Sequence, residues 1–256
     1  MTTAGEVAVI AWRSIRRTLR QPANAIVLVF PLMLMAVNSN GLKAATHLPG
    51  FPTDSFLSFF LPFTFIQGAL FAASTAGTEL GRDIDTGFLN RLALTPLRGS
   101  ALLAGQLGGA LAQTLIQALV YLGVGLAFGV RFAAGVPGMA TLVLLALCIG
   151  AGFASAGIWM ALRTGSGEAV QSQFPVLFFL LFISSMNLPR NLIEVHWFRV
   201  AATLNPVSYM IEGMRSLVIE GWNGEALALG FGLSIAFVLV AMTASTFALR
   251  KRMART

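Results

Sequence analysis

The sequence predicts an all-α polytopic membrane protein, and three observations support that prediction. Of the 256 residues, 56% are hydrophobic and only 11% are charged, whereas about 25% of the residues of an ordinary soluble domain are charged. The mean hydropathy is +0.78. Six charge-free apolar runs are each near the roughly 20 residues that a membrane-spanning helix needs. A soluble globule, a disordered chain and a disulfide-stapled domain are excluded, since the chain is apolar and its one cysteine is Cys148.

The six apolar runs are the predicted transmembrane helices. They cover 23–42, 55–77, 100–130, 137–162, 169–187 and 226–249. The third run is long enough to tilt or to extend beyond the bilayer. The stretch after the fifth run is too polar to span and too apolar for a simple loop. No repeat of fixed period and no linker interrupts the chain, so we expect a single domain over 1–256.

An amphipathic helix is predicted before the first span, over 7–20. Its apolar residues recur at helical spacing, and arginines occupy the other face. The apolar set is Val7, Ile10, Ala11, Ile15 and Leu19. This pattern favours a helix lying on the cytoplasmic leaflet. The alternative is a cleavable signal peptide, because a basic segment followed by an apolar run is also typical of that class.

The basic residues predict how the spans are oriented. Twelve Lys and Arg residues flank the spans on the side of the two termini, and five lie on the opposite side. The first group is Arg13, Arg16, Arg17, Arg20, Arg82, Arg91, Arg98, Arg163, Arg250, Lys251, Arg252 and Arg255. The second is Lys43, Arg131, Arg190, Arg199 and Arg215. Because basic loops remain in the cytoplasm, we expect both termini on the cytoplasmic side. The excess of Arg over Lys indicates a bacterial genome, so the expected location is a bacterial cytoplasmic membrane. No nucleic-acid partner is expected, because the basic residues gather between apolar runs instead of forming one face.

The sequence lacks the residue patterns of nucleotide hydrolysis and metal binding. A P-loop requires Gly-Lys-Ser/Thr, and neither Lys43 nor Lys251 follows a glycine. His47 and His196 have no cysteine or acidic cluster at ligand spacing, so no metal site is expected. The spans contain almost no ionisable residue, which disfavours a proton-coupled carrier, although Glu168 at the mouth of the fifth span keeps that alternative open. We expect neither catalysis nor a cofactor in this chain.

Neutral polar side chains mark two of the spans. Gln106, Gln113 and Gln117 fall within about 40° of one another around the third helix. Thr64 and Gln67 lie on a looser polar face of the second span. Two interpretations are open: these residues form a wall of a translocation path, or they lie in a hydrogen-bonded interface between helices.

The connection after the second span, 78–98, predicts a short surface helix. Ile84, Phe88 and Leu92 recur every four residues, and Pro96 ends the stretch. The helix would show Asn90 and Arg91 on another face, and the charged residues Glu79, Arg82, Asp83 and Asp85 lie before or at its start. Such a helix can dock on a partner with its apolar stripe. A solvated surface helix is the alternative.

The stretch 188–222 predicts a helical hairpin against the external leaflet. Asn205 and Pro206 supply the N-cap and first-turn proline of a helix that reaches about Ile219. Glu212 and Arg215 are three residues apart on this helix and are expected to pair. A re-entrant course into the membrane is an open variant, since irregular backbone at that depth must be buried in protein.

Several short motifs occur together in a characteristic order along the chain. They are Arg82, Thr86-Gly87-Phe88-Leu89-Asn90-Arg91-Leu92, Thr95-Pro96, Gly105, Asn205-Pro206-Val207-Ser208-Tyr209 and Arg215. With the predicted topology, they resemble the membrane subunits of type-2 ATP-binding-cassette (ABC) transporters, in particular drug-export permeases of the daunorubicin-resistance type. The resemblance covers the whole chain.

The resemblance implies a permease with no ATPase of its own. Two permease chains, identical or different, would each rest on a cytoplasmic ABC ATPase that binds ATP and magnesium. Residues implied to couple the two subunits are Glu79, Arg82, Asp83, Gly87, Phe88, Arg91 and Leu92. Those implied to form an external gate are Asn187, Asn205, Pro206, Tyr209, Glu212 and Arg215. The translocation path would include Thr64, Gln67, Gln106, Gln113 and Gln117.

The expected substrate is a small amphipathic or lipophilic compound, because the spans lack fixed charge. A polysaccharide or glycolipid exporter of the same architecture is one alternative. It would use aromatic rings to line a wide channel, and Phe56, Phe59, Phe60, Phe63 and Phe65 are the candidates. An ATP-independent carrier or a membrane enzyme is the alternative of a different class.

Replacing Phe88 and Arg91 together with alanine tests the predicted coupling helix. We expect weaker association with the ATPase and unchanged membrane insertion, because the change removes an apolar anchor and a charge from a docking surface. Co-purification from mild detergent measures the first, and the yield of permease in the membrane fraction measures the second. Recovery of the ATPase at wild-type yield would contradict the assignment.

Overall fold

A computed structural model describes residues 23–87 and 99–253, and every structural statement concerns these residues. Within them the chain forms eight α-helices. They are α1 Ala23–Gly41, α2 Phe56–Asp85, α3 Gly99–Ala127, α4 Gly135–Thr164, α5 Gly167–Phe182, α6 His196–Leu204, α7 Pro206–Ile219 and α8 Gly224–Met253. Short 3-10 helices cover Lys43–His47 and Arg190–Leu192. No strand occurs in the described ranges, so the all-α prediction is confirmed there.

Four of the helices are long and apolar enough to cross a bilayer: α2, α3, α4 and α8. Helices α1 and α5 are apolar but shorter. Their positions match the first and fifth predicted spans, and α6 and α7 fall within the predicted hairpin. The structure therefore supports a polytopic helical membrane protein. The amphipathic helix expected over 7–20 lies outside the described residues.

Helix α2 extends beyond the predicted end of the second span. It ends at Asp85 rather than near 77, because its last two turns still have an apolar side to bury. Leu80 and Ile84 are buried in a cluster that includes Leu102 and Leu103 of α3. The charged residues that the sequence placed in a connection thus belong to the end of a long, rigid helix.

Helix α5 ends earlier than predicted, at Phe182 instead of near 187. The side-chain amide of Asn205 donates hydrogen bonds to the carbonyl oxygens of Leu180 and Ile183, at 2.6 and 2.7 Å. These carbonyls are therefore engaged by a side chain rather than by the next helical N–H groups, and the chain turns. The start of α7 controls the end of α5.

Helix α2 is the central element, packed against α1, α3, α4, α5 and α7. It approaches α4 closely at Gly77 and Gly157. A Cβ on Gly157 would lie 2.6 Å from the carbonyl oxygen of Ala73, and one on Gly77 would lie 2.8 Å from that of Gly157. In lipid the hydrophobic effect does not drive helices together, and van der Waals packing takes that role. Contacts between small residues permit such close packing.

Antiparallel helices give the bundle two ends. One end, here called the hairpin end, contains the connections 42–55 and 128–134 and the stretch 183–223. The N–H groups of Ala133 and Ala134 donate to the carbonyls of Val218 and Leu217 there. The opposite end holds the end of α2, the α4–α5 connection and the end of α8. Any signal between a partner at one end and a ligand at the other must therefore pass along the helices.

Gly157→Ala tests the α2–α4 contact. We expect it to lower stability by about 1–3 kcal/mol, because a methyl group there overpacks a backbone contact. Gly123→Ala is the matched control, since nothing lies within 4 Å of a Cβ at that position. Thermal unfolding in detergent should show a clear loss for the first variant and no loss for the control. Equal melting temperatures would contradict the close approach.

Candidate functional site

The end of α2 and the start of α5 are joined at the opposite end of the bundle. The Asp85 carboxylate accepts a hydrogen bond from the backbone N–H of Gly167 at 3.1 Å. A carboxylate at a helix N-terminus satisfies an otherwise unpaired N–H and interacts favourably with the helix dipole. A Cβ on Gly81 would lie 2.6 Å from the backbone nitrogen of Gly167. Movement of the last turn of α2 therefore displaces α5 directly.

Four of the predicted coupling residues lie at this joint. Glu79 is buried, Asp83 is half-buried and Arg82 is exposed on the last turns of α2. Gly87 follows with a φ of 67°, a conformation that glycine adopts without the cost of a Cβ. The remaining three, Phe88, Arg91 and Leu92, lie outside the described residues, so their docking role stays a prediction.

A second side-chain cap joins α8 to α4 at the same end. The Arg252 guanidinium donates a hydrogen bond to the carbonyl oxygen of Leu162 at 3.0 Å. A cation at a helix C-terminus satisfies a free carbonyl and complements the dipole. Thus side chains from one helix satisfy the exposed backbone of another on both sides of the α4–α5 connection.

Asn205 is the junction between α5 and α7 at the hairpin end. Its Oδ1 accepts a hydrogen bond from the N–H of Val207, which caps the N-terminus of α7, as the sequence predicted. Its Nδ2 donates to the Leu180 and Ile183 carbonyls at the end of α5. One amide thus ties two helix ends together, with Pro206 as the first residue of α7.

Two serines reinforce this junction. The backbone N–H of Ser185 donates to the hydroxyl oxygen of Ser208 at 3.1 Å, and both residues are fully buried. Ser208 lies on the first turn of α7, and Ser185 lies in the turn after α5. The end of α5 and the first turn of α7 therefore form one hydrogen-bonded unit.

Arg215 links α7 to two other segments. Its Nε donates to the carbonyl oxygen of Phe59 in the first turn of α2, at 3.2 Å. Its Nη2 donates to the carbonyls of Ser185 and Met186, at 2.9 and 3.4 Å. The guanidinium lies 3.6 Å from the centroid of the Phe59 ring, a cation–π contact. Arg215 is only 5% exposed, so its charge is held inside the protein.

The prediction that Glu212 pairs with Arg215 is wrong. Glu212 instead forms a bidentate ion pair with Arg190, at 2.8 and 2.6 Å, while Arg215 turns inward to backbone carbonyls. The Arg190 guanidinium also lies 4.3 Å from the centroid of the Tyr209 ring. Burial acts to lower the pKa of Arg190, but its hydrogen bond and charge attraction to Glu212 outweigh this and raise it above the ordinary value.

The predicted path residues lie inside the protein. Thr64, Gln67, Gln106, Gln113 and Gln117 are all buried. The Gln67 and Gln117 amides and the Thr64 hydroxyl have buried atoms with no hydrogen-bond partner in the described protein. Tyr121, which the sequence analysis missed, lies one turn from Gln117 and contacts Gly68 of α2. All five predicted side chains are thus buried in the bundle, and both interpretations, a path wall and a hydrogen-bonded interface, stay predictions.

The phenylalanines of α2 belong to the core. Phe56, Phe59, Phe60, Phe63 and Phe65 are each at most 2% exposed. Several of these rings pack on one another, with the Phe60 and Phe63 centroids 5.1 Å apart. These rings therefore line neither a wide channel nor the lipid surface in this structure, because α2 is surrounded by five other helices.

The sequence indicates several of the functional residues, but it does not identify their hydrogen-bond or ion-pair partners. It named Asn205 as a local cap and did not predict that the same amide reaches α5. Asp85 was seen only as one of several charges, and Arg190 only as a basic residue on the hairpin side. Asp85 stands at a helix end, and Arg190 precedes a helix that carries Glu212. Both are signals of capping or pairing, but neither identifies the partner.

The family follows from comparison with known proteins. The model of the ABC-2 type transporter family matches residues 5–219, which is most of the chain. The chain therefore belongs to the ABC-2 type transporter family. Membership agrees with the apolar helices and the multi-pass architecture, and it implies a membrane location and an ABC ATPase partner.

Named relatives define the class further. The daunorubicin resistance ABC transporter permease protein DrrB1 of Streptomyces coeruleorubidus is 26% identical over 197 residues, which cover 74% of this chain and 69% of that protein. The probable doxorubicin resistance ABC transporter permease protein DrrC of Mycobacterium tuberculosis is 29% identical over 200 residues, 77% and 70% of the two chains. These findings confirm the prediction that this chain is the membrane permease subunit of an ABC exporter. Such a subunit is a transport component rather than an enzyme.

Asn205→Asp tests the junction between α5 and α7. The aspartate keeps the oxygen that caps α7 but has no amide to donate to the α5 carbonyls. We expect a loss of about 2–4 kcal/mol, because buried acceptors lose their donors beside a new charge. Asn223→Asp is the control, since Asn223 also accepts from a backbone N–H, that of Ala226, and its amide donates to the exposed Glu220. Similar melting temperatures for both variants would contradict the shared cap.

Proposed function

We propose that this chain is the permease of a drug-type exporter that moves small amphipathic or lipophilic compounds out of the cytoplasm. The daunorubicin and doxorubicin resistance permeases named above support this substrate class. The described spans also offer little fixed charge for a charged cargo. A polysaccharide or glycolipid exporter has less support, since the aromatic rings that would line its wider channel are buried in the core.

The proposed topology has six spans, α1 to α5 and α8. The shorter helices α1 and α5 cross with the help of flanking residues or local thinning of the bilayer. The hairpin end faces outside, because the end of α8 carries Arg250, Lys251 and Arg252 and basic residues favour the cytoplasm. Helices α6 and α7 then lie at the external leaflet, as a helical hairpin before the last span.

The proposed assembly has two permease chains and two ATPase subunits. ATP and magnesium bind to the ATPase, since the sequence of this chain contains no P-loop. The ATPase contacts the stretch after α2, near Glu79, Arg82, Asp83 and the predicted helix beyond Gly87. The location has support because α2 carries these side chains to the end of the bundle opposite the hairpin end.

The observation that carries the mechanism is that α5 is held at both ends. Asp85 of α2 caps its start, and Asn205 and Ser208 of α7 hold its end. A shift of the last turn of α2, imposed by the ATPase, would move α5 along with it. Because α5 and the start of α7 are one hydrogen-bonded unit, the same shift reaches the predicted gate around Asn187, Tyr209 and Arg215.

Reconstitution with the partner tests the proposed function. The tagged chain is isolated from its native membranes with mild detergent, and co-eluting proteins are identified. We expect a P-loop ATPase, and after reconstitution in vesicles we expect ATP-dependent accumulation of an anthracycline on the side of the permease hairpin. Isolation without an ATPase, or transport that does not need ATP, would contradict the proposal.

Asp85→Ala tests transmission along α5. We expect the ATPase to remain bound while transport falls at least tenfold, because the change removes the link to Gly167 and leaves the seven predicted coupling residues in place. Asp85→Asn should restore most of the activity, since its amide oxygen can still accept the Gly167 hydrogen bond. Transport rates per bound ATPase give the comparison. Wild-type transport by the alanine variant would exclude this route.

A further inference from the structure

A cavity of about 460 Å³ lies at the hairpin end. It is bounded by the first turn of α2, the turn at 189–191, α7 and the start of α8. Six polar or charged residues line it: Arg190, Asn191, Glu212, Arg215, Glu220 and Asn223. Cavities of this volume hold small-molecule ligands, which are oriented by a few polar groups. No role proposed above uses this cavity as a binding site.

The deep wall of the cavity contains a guanidinium with spare hydrogen-bond donors. Nε and Nη2 of Arg215 donate to the backbone carbonyls described above, but Nη1 makes no hydrogen bond among the described residues. No carboxylate of the described chain lies within 4 Å of this side chain, whereas Arg190 has one; Glu212 and Glu220 attract the Arg215 charge only from a greater distance. An arginine remains charged in proteins, and a buried charge needs a compensating partner. An oxyanion of a ligand would supply it.

The other charged residues of the cavity make a simple anion a poor ligand for it. Arg190 and Glu212 neutralise each other in a bidentate pair, which leaves Arg215 and Glu220. Glu220 is exposed, and its carboxylate accepts one hydrogen bond from Asn223 at 3.2 Å. The remaining positive charge is therefore deep and the remaining negative charge is at the mouth. A ligand with no net charge but with separated charges complements this arrangement best.

We propose that this cavity binds a zwitterionic phosphate–ammonium group. The phosphate oxygens accept hydrogen bonds from Nη1 of Arg215, and the ammonium group lies at the carboxylate of Glu220. Pro52 provides apolar contact beside the charged groups. The group belongs either to a phosphatidylethanolamine molecule of the adjoining leaflet or to a soluble phosphoethanolamine ester. Binding needs neither ATP nor a transported compound, so the proposal goes beyond the export function.

Thermal unfolding of the purified full-length permease in detergent tests this site. The probes are glycerophosphoethanolamine, inorganic phosphate, and mixed micelles with either phosphatidylethanolamine or phosphatidylglycerol. We expect a saturable rise in melting temperature with phosphoethanolamine compounds, and a smaller one with phosphate and phosphatidylglycerol. Glu220→Gln should weaken zwitterion binding about tenfold, as expected for loss of one charge-assisted contact. Arg215→Gln should abolish it.

Glu225→Gln is the matched control, because Glu225 is an exposed glutamate at the same end and lies outside the cavity lining. It should bind like the wild type. A response to both phosphoethanolamine compounds supports a site that small solutes reach, and a response to the lipid alone supports a lipid site. If Arg215→Gln does not fold, Glu220→Gln still decides. No response to either compound, an equal response to anion and zwitterion, or unchanged binding by Glu220→Gln would overturn the proposal.

Discussion

Backbone groups that helix ends leave unpaired must find other partners, and this constraint organises the structure. A buried N–H or C=O without a partner costs free energy comparable to a lost hydrogen bond, and every break between helices creates such groups. In this chain, side chains from neighbouring helices form hydrogen bonds with these backbone groups. Asp85 satisfies the start of α5, Asn205 its end and Arg252 the end of α4. Three polar side chains of this apolar chain are thus used at helix ends.

The same contacts connect the two ends of the bundle. A cap contributed by another helix fixes the relative position of both, so α5 cannot move without α2 at one end and α7 at the other. Glycine contacts strengthen this, because Gly81 and Gly167 bring the backbones of α2 and α5 together without intervening side chains. A short helix between two such joints transmits displacement rather than absorbing it. We propose that the permease responds to its ATPase by this route.

Much of this fold follows from the sequence, because lipid imposes apolar length and helical backbone on the spans. The helix over Pro206–Ile219 and its cap at Asn205 were predictable from a local motif. The long-range partners were not, since Asn205 to Leu180 and Asp85 to Gly167 depend on how helices pack. The charge pairing failed for the same reason: spacing alone suggested Glu212 with Arg215, but Arg190 lies close in space, and Arg215 is drawn to the carbonyls of the α5–α6 connection.

A distance measurement at the hairpin end tests the central claim that α5 connects the two ends. Spin labels at positions 136 and 204, which are 75% and 78% exposed as Val136 and Leu204, are introduced after replacement of Cys148 by serine. In the reconstituted complex with its ATPase, we expect a changed label distance when a non-hydrolysable ATP analogue is bound. The change should shrink in Asp85→Ala. A nucleotide response of the same size in that variant, or no response in the parent complex, would contradict it.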